Sequence, residues 1–393
     1  NDLINLASDG TSVSLGTITG TDRASMVHSF NSQSIVADGK WWLYDGTFTQ
    51  QLDSDLGTPI DQTWIDGYYI FTDGEFLYHT DIADETSIDP LKFATSEFSP
   101  DPTLSVDKTS DNQLIAFNRY TTEFFENRAN EQFAFSRIKG KAVKCGVVGT
   151  HCETELVGRF YVIGGGREEA VSIHVIAAGQ YKSIATREID KILSTYTEDQ
   201  LSKAVLETRV EDRDKFIIAQ LPSHTLLYNA TIAETLGKEY AWTIVKSGVT
   251  DDTKWRGVNG VFDPRLSRWI YGDNQNTNIG ILDNTVGSQY GAQVETIFYS
   301  PLLDMESASI DEIELQTIPG HQVDPSKVTV AFSLTYDGLT YGKEWWALYG
   351  ERTKYGTRFI QRRLGYVGEN VGMKYRCVST ERVNFLLIEM KYG

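Results

Sequence analysis

Cysteine is scarce in this chain of 393 residues, which has only Cys145, Cys152 and Cys377. An odd count without a close pairing pattern excludes a disulfide framework and points to synthesis in a reducing cytoplasm. Long apolar runs are absent as well. No stretch approaches the ~18 residues a membrane helix needs, so no membrane partner is expected, and the opening residues 1–6 lack the basic region and apolar core of a signal peptide. The sequence does not open on Met and is read as a processed form or a piece of something longer. Basic residues are also in deficit, 36 Lys+Arg against 54 Asp+Glu, for a formal charge of -18. A free surface of that sign repels phosphate, which argues against groove reading or nonspecific nucleic-acid binding as the main activity. It still allows DNA to pass along an acidic channel without sticking.

Helical periodicity is nearly missing, while Tyr, Phe and Trp are abundant (20, 18 and 8) and Gly numbers 33. That balance belongs to a strand-rich chain with many tight turns. The segment Trp64 to His79 shows the grammar best: the dipeptides Asp66-Gly67 and Asp73-Gly74 join aromatic runs, and Asp-Gly supplies the positive φ angles of a type I′ hairpin. Asp38-Gly39 does the same between Ser34–Ala37 and Trp41–Tyr44. Comparable units follow at Leu114–Phe117, at Arg159–Ile163 and Val171–Ile176 around a turn at Gly164-Gly165-Gly166, at Lys215–Ala219 and Thr225–Tyr228, and at Arg268–Tyr271. Units recurring at about 35 to 50 residues are the size of β-propeller blades, the competing reading being a pair of stacked sandwiches.

One helix stands out, Thr186 to Leu193 with Ile189, Ile192 and Leu193 on one face, and Thr197 offers a cap for a second that runs through Ala204 and Leu206. After about Gln289 the pattern becomes that of a β-sandwich, with strands at Val328–Tyr336, Met373–Val378 and Val383–Met390. The chain is therefore read as all-β: a β-propeller-like domain over 1–289 with a helical insertion at about 186–207, then a β-sandwich domain over 290–393.

No reacting constellation is visible. There is no nucleophile elbow, no phosphate-cradling loop and no paired-histidine zinc motif. Cys145, His151 and Cys152 do not supply the four ligands of a zinc site and are read as packed structural residues. The histidines are scattered singly. No catalytic, metal or cofactor residue is assigned, and no cofactor is expected. Most of the conspicuous carboxylates, Asp38, Asp66, Asp73, Asp111, Asp273 and Asp337, fit turn chemistry. A paired acid and nucleophile, as in a propeller glycan hydrolase or lyase such as a phage depolymerase, remains the alternative and requires carboxylates clustered at the propeller centre. Two adjacent tryptophan pairs, Trp41-Trp42 and Trp345-Trp346, should each send one indole into the core and one outward unless both faces are covered, because successive strand residues face opposite ways, and core packing between sheets is the reading slightly favoured for them. An outward Trp is a candidate for a subunit interface.

Several segments in register resemble packaged-DNA stabilisation proteins of short-tailed, tailspike-bearing phages. They are Val148-Gly149-Thr150-His151-Cys152, the run Ala178 to Thr186 with the helix Ile189 to Tyr196, Leu221 to Tyr228, Trp255-Arg256-Gly257-Val258, and Thr340-Tyr341-Gly342-Lys343-Glu344 after Asp337-Gly338. The resemblance spans nearly the whole chain and is strongest from about Gly146 to Gly260. It implies a structural virion protein without enzymatic activity, located in the virion tail: a tail hub, or head-completion protein, in which a hexameric ring sits beneath the portal adaptor ring, closes the DNA exit with the tail needle and offers a collar for the tailspike. Double-stranded DNA would cross its lumen without sequence-specific binding. It also implies that a segment preceding Asn1 in such proteins is absent here.

Overall fold

The computed structural model describes residues 2–7, 9–82, 84–249, 252–324, 328–350 and 352–393. The chain divides into two units, Asn1–Ile244 and Val245–Gly393. The first unit opens on a hairpin of Asp2–Leu6 with Ser12–Thr17. Five antiparallel meanders follow, each beginning with a strand that the next two or three fold back upon. Their first strands are Ser25–His28, Asp61–Ile65, Thr103–Lys108, the pair Gly146–Val147 and Glu153–Leu156, and Val205–Glu211.

The turn chemistry that predicts these hairpins operates at Asp38-Gly39 and Asp66-Gly67. There Ala37 pairs with Lys40 and Ile65 with Tyr68, leaving two residues in each loop. All four turn residues have positive φ, between 52° and 88°, as a type I′ turn requires. Asp73-Gly74 differs from expectation. Thr72 pairs with Leu77 across a four-residue loop, and the Asp73 carboxylate accepts from the Glu75 and Phe76 amides at 2.9 and 2.7 Å. Asp73 therefore works as a side-chain cap instead of a positive-φ residue.

Gly164-Gly165-Gly166 is also not simply a turn. The strand Arg159–Gly165 takes in the first two glycines. A Cβ on Gly164 would lie 1.9 Å from the Gly146 carbonyl oxygen, so close approach of two backbones demands glycine there.

Successive first strands touch around a common axis. Gln62 donates to the Ser25 carbonyl (2.9 Å), the Ser105 hydroxyl and Val106 amide donate to Asp61, Ser105 lies 3.3 Å from Glu153, and the Leu206 amide donates to the His151 carbonyl. Arg23, just ahead of the first meander, pairs with Glu207 of the fifth at 3.4 Å. The five sheets thereby close on themselves, in the radial arrangement of a β-propeller. A blade with a neighbour on each face has strands buried at nearly every position, such as Leu114–Asn118, while the other face of the first blade, around Ile35, Ala37 and Trp42, is covered by Leu3, Ile18 and Ala24 of the opening segment.

The helices pack onto this scaffold. Helix α1 (Arg187–Leu193) buries Ile189 and Leu193, and α2 (Glu198–Leu201) starts from a full capping box of Thr197 and Gln200. The second helix is shorter than its sequence suggests: it ends at Leu201, and Leu206 belongs to the strand Val205–Glu211. A third, α3 (Ala230–Leu236), is capped by the Asn229 side chain.

The second unit holds a three-stranded sheet (Gly257–Asp263, Arg268–Asp273, Ile279–Ile281) and a β-sandwich. One layer of the sandwich has the order Val294–Tyr299, Asn370–Ser379, Val328–Thr335, Trp345–Leu348. The other places Ala308–Thr317 between Phe359–Val367 and Phe385–Tyr392. Ile310, Ile313, Leu315, Val330, Phe332 and Tyr375 meet between the layers.

Candidate functional site

The propeller axis collects carboxylates. Asp61, Asp107 and Glu153 stand on the first strands of the second, third and fourth blades, and His151 precedes the last of these. Ser105 joins two of them: its hydroxyl donates to Asp61 Oδ2 at 2.6 Å and lies 3.3 Å from Glu153 Oε1. The Val106 amide also donates to Asp61 Oδ2 (2.9 Å), and the Lys108 amide donates to Asp107 Oδ1 (2.7 Å). Glu153 Oε2 is buried with no hydrogen-bond partner.

Asp61 is buried and Asp107 and Glu153 are half-buried, so with so few donors the ionised forms are disfavoured. Burial pushes the Asp107 carboxyl up to about 7, with the Asp61 and Glu155 charges adding to it. Burial likewise holds Glu153 well above the usual carboxylate range, helped by Asp107 and Asp61, and raises Asp61. The same burial lowers His151, whose Nε2 lies 3.3 Å from the Arg23 carbonyl oxygen. Raised together, these carboxyls favour their neutral forms, and the contacts of Ser105 with Asp61 and Glu153 tie the second, third and fourth blades to one another.

A glycan hydrolase needs two carboxyl groups facing each other across a sugar ring. Here the Ser105 hydroxyl occupies the gap between Asp61 and Glu153, and Asp61 is buried. Among the described residues no three His, Cys, Asp or Glu side chains are disposed to hold a metal. Cys145 and Cys152 lie in the hydrophobic core, with Cys152 Sγ 3.3 Å from the Ala204 carbonyl oxygen. The Asp337 carboxylate is engaged by the Leu339 and Thr340 amides and the Thr335 and Thr340 hydroxyls at 2.6 to 2.9 Å, as a turn requires.

Comparison with known proteins decides between the readings. The bacteriophage P22 Gp10 β-propeller model matches residues 1–287, and the P22 Gp10 β-sandwich model matches residues 295–393. The chain belongs to the P22 Gp10 family. It is 28% identical over 391 residues to the tail hub protein gp10 of Salmonella phage P22, an alignment covering 94% of this chain and 80% of that protein. The homology supports a structural tail-hub role and does not favour the hydrolase. Among solved structures, the exo-β-1,3-galactanase of Phanerochaete chrysosporium aligns over 96% of this chain and 100% of its own at 8% identity, with a TM-score of 0.34. The extracellular domain of a hybrid two-component system of B. thetaiotaomicron aligns over 85% and 41% at 10% identity, with a TM-score of 0.45. Likeness at that level carries no argument about function.

For this Gp10 family member the tryptophan pairs matter as surface. Trp41 and Trp42 do not split between core and solvent; both are buried. Trp41 packs edge-on against Tyr69 and Phe71 and donates to the Ser34 hydroxyl at 2.7 Å. Trp42 packs with Ile35 and Ala37 on the opposite face. Neither is available to another subunit. Trp345 turns toward the sandwich core and stacks on Phe332, 5.6 Å between ring centroids. Trp346 is the outward member, 52% exposed, on a strand whose neighbour on one side only is Val328–Thr335. The Arg376 guanidinium sits 4.5 Å from its ring centroid and is held by Glu295 (3.1 Å) and Glu344 (2.7 Å).

Proposed function

We propose that this chain is a tail-hub subunit of a short-tailed phage that works as a ring of copies, six by resemblance to its family, joining the portal adaptor ring to the tail needle and tailspikes and retaining DNA in the head. The observation that carries the reading is the identity to the P22 tail hub protein along 94% of the chain. The role is mechanical: blades covered on both faces and pinned at the axis resist deformation under DNA pressure. The formal charge of -18 suits a lumen that DNA must cross without sticking. Trp346 is the member of the two pairs that fits a subunit contact, since Trp is enriched where interfaces are strongest. In the same reading the propeller domain runs over 1–289 and the sandwich over 290–393. Family models that end at 287 and begin at 295 support that boundary.

Native mass spectrometry of the chain, alone and mixed with a phage adaptor ring, tests this. A ring of copies on the adaptor is expected. A strict monomer that ignores the adaptor and depolymerises a polysaccharide would overturn it.

A further inference from the structure

A cavity of about 490 Å³ lies within the propeller unit, between the last two strands of the fourth blade and helices α1 and α2. The alternation of a strand builds its floor: Ser172 and His174, two apart, share one face of Ser172–Ala177, while Ile173 between them enters the core. Glu169 comes from the preceding turn, and Asp190 and Leu193 from α1. No lysine or arginine lines the cavity among the described residues.

Two features here are not fully used by the fold. His174 is 5% exposed and its Nδ1 is buried with no hydrogen-bond partner among the described residues, a costly state for a polar atom. The Glu169 and Asp190 carboxylates are held in place by neutral donors only: Glu169 by the Tyr181 hydroxyl (2.8 Å) and the Gly166 amide (3.1 Å), Asp190 by the Ser172 hydroxyl (2.5 Å). By contrast Glu198, also on the cavity wall, is already paired with Arg119 at 2.7 Å. Ala170, Val171, Leu193 and Leu201 add an apolar wall beside these charges.

An apolar wall ending in two fixed carboxylates and an imidazole fits one ligand shape: a short aliphatic stem ending in a cation. We propose that this cavity is a binding site for a primary ammonium or guanidinium group on an aliphatic stem. The stem lies along Val171 and Leu193, the cationic head reaches Glu169 and Asp190, and His174 contacts the ligand directly. A lysine or arginine side chain of another protein and a free polyamine both carry this chemistry. The site is independent of the tail-hub reading and of the propeller axis.

The test uses the full chain labelled with ¹³C-histidine, the His174 resonance being assigned by its loss in His174→Gln. Titration with n-butylguanidinium and n-butylammonium is expected to move that resonance saturably, with a midpoint on the order of 1 mM for ligands so small. n-Butanol, of matching stem but no charge, should leave it in place. The double variant Glu169→Gln/Asp190→Asn removes both charges, leaves one oxygen at each position to accept from the Gly166 amide and the Ser172 hydroxyl, and sets the new amide nitrogen at position 169 to donate to the Tyr181 hydroxyl oxygen; it should weaken binding at least about tenfold, the effect of losing one good charge contact. Unchanged melting of that variant shows that it folds. A resonance that fails to saturate by about 50 mM, a response equal to n-butanol, or full binding by the double variant overturns the proposal. Spermidine and an acetylated, amidated Gly-Lys-Gly peptide then distinguish the sources: whichever binds more tightly names its own class, and either ordering sustains the site.

Discussion

Two strands of this molecule carry the same Trp-Trp dipeptide, and they treat it oppositely. In Lys40–Tyr44 both indoles are buried, because one face of that sheet packs on the second blade, around Tyr69 and Phe71, and the other is covered by Leu3, Ile18 and Ala24 of the opening segment. In Trp345–Leu348 one indole enters the sandwich and the other stands in the open, because a sandwich layer has a single covered face. The rule that neighbouring strand residues point opposite ways holds in both. Only the number of covered faces differs, so the architecture, and not the dipeptide, decides whether a tryptophan is core or surface. The same contrast governs charge. Burial at the axis raises its carboxyls toward the neutral form, whereas the open outer faces of the sandwich let Glu312 pair freely with Lys391 (2.8 Å) and Arg362 (2.7 Å), which holds it down to about 2.

Trp41→Ala should break the comparison most severely. It removes a fully buried indole and leaves Ser34 without the Trp41 donor, so a loss of about 4 kcal/mol in unfolding free energy is expected from denaturant titration. Trp345→Ala, at a half-buried site, should cost about half as much. Equal losses would mean that the two faces are not covered differently.

The charge contrast predicts a pH effect next in size. Asp107, raised to about 7 from its ordinary 3.8, stabilises the fold while protonated, fully so below about 3.8, and that contribution is lost as pH climbs through about 7. Asp107→Asn retains the acceptor for the Lys108 amide and stays neutral throughout. It should match the wild type near pH 4 and exceed it at pH 8 by on the order of 2 kcal/mol, the full shift being discounted for sharing among Asp61, Glu153 and Glu155. His151 works in the other direction: lowered by burial, it costs stability as pH falls below its ordinary 6.5. Comparing variant with wild type at each pH removes its contribution. Glu312 also has the opposite sign, its stabilisation being present above about 4.5 and lost as pH falls toward 2. Melting curves of Asp107→Asn that track the wild type at every pH would sink the account of a raised axis carboxyl.

Some of this was legible in the residues and some was not, for physical reasons. Asp38-Gly39 and Asp66-Gly67 announce two-residue turns because little else tolerates two consecutive positive φ angles. Asp73-Gly74 looks the same in sequence, yet its side chain caps a longer loop, an outcome set by the pairing of Thr72 with Leu77. Helix α3 escaped notice because it is seven residues long and starts directly from the strand Thr225–Asn229. The axis carboxylates were missed because no local motif joins them, although a signal existed: Asp61, Asp107 and Glu153 are spaced 46 residues apart, within the span of one blade. A polar residue recurring at the repeat length marks the shared axis of a propeller, just as apolar recurrence at 3.6 marks a helix face. At Trp41-Trp42 the covered-on-both-faces case applies, which the residues alone do not announce, because sequence alternation says which way a side chain points and not what stands there.

The smallest effect on stability should come from Trp346→Ala. The indole is about half exposed and its one defined partner is the Arg376 guanidinium, which Glu295 and Glu344 continue to hold in its absence. Loss of a surface cation–π contact costs less than about 1 kcal/mol, so the melting temperature should barely move. An interface residue behaves differently from a merely exposed one when a partner is present: truncating a central Trp weakens association by about 2 kcal/mol or more, roughly thirtyfold. Native mass spectrometry of Trp346→Ala with an adaptor ring therefore separates the two roles of the open face. Ring formation that falls by that factor while stability stays put makes Trp346 a subunit contact. Undiminished ring formation leaves it as a cover for Arg376, and the second covered face of that sandwich layer would have to be sought elsewhere on the strand.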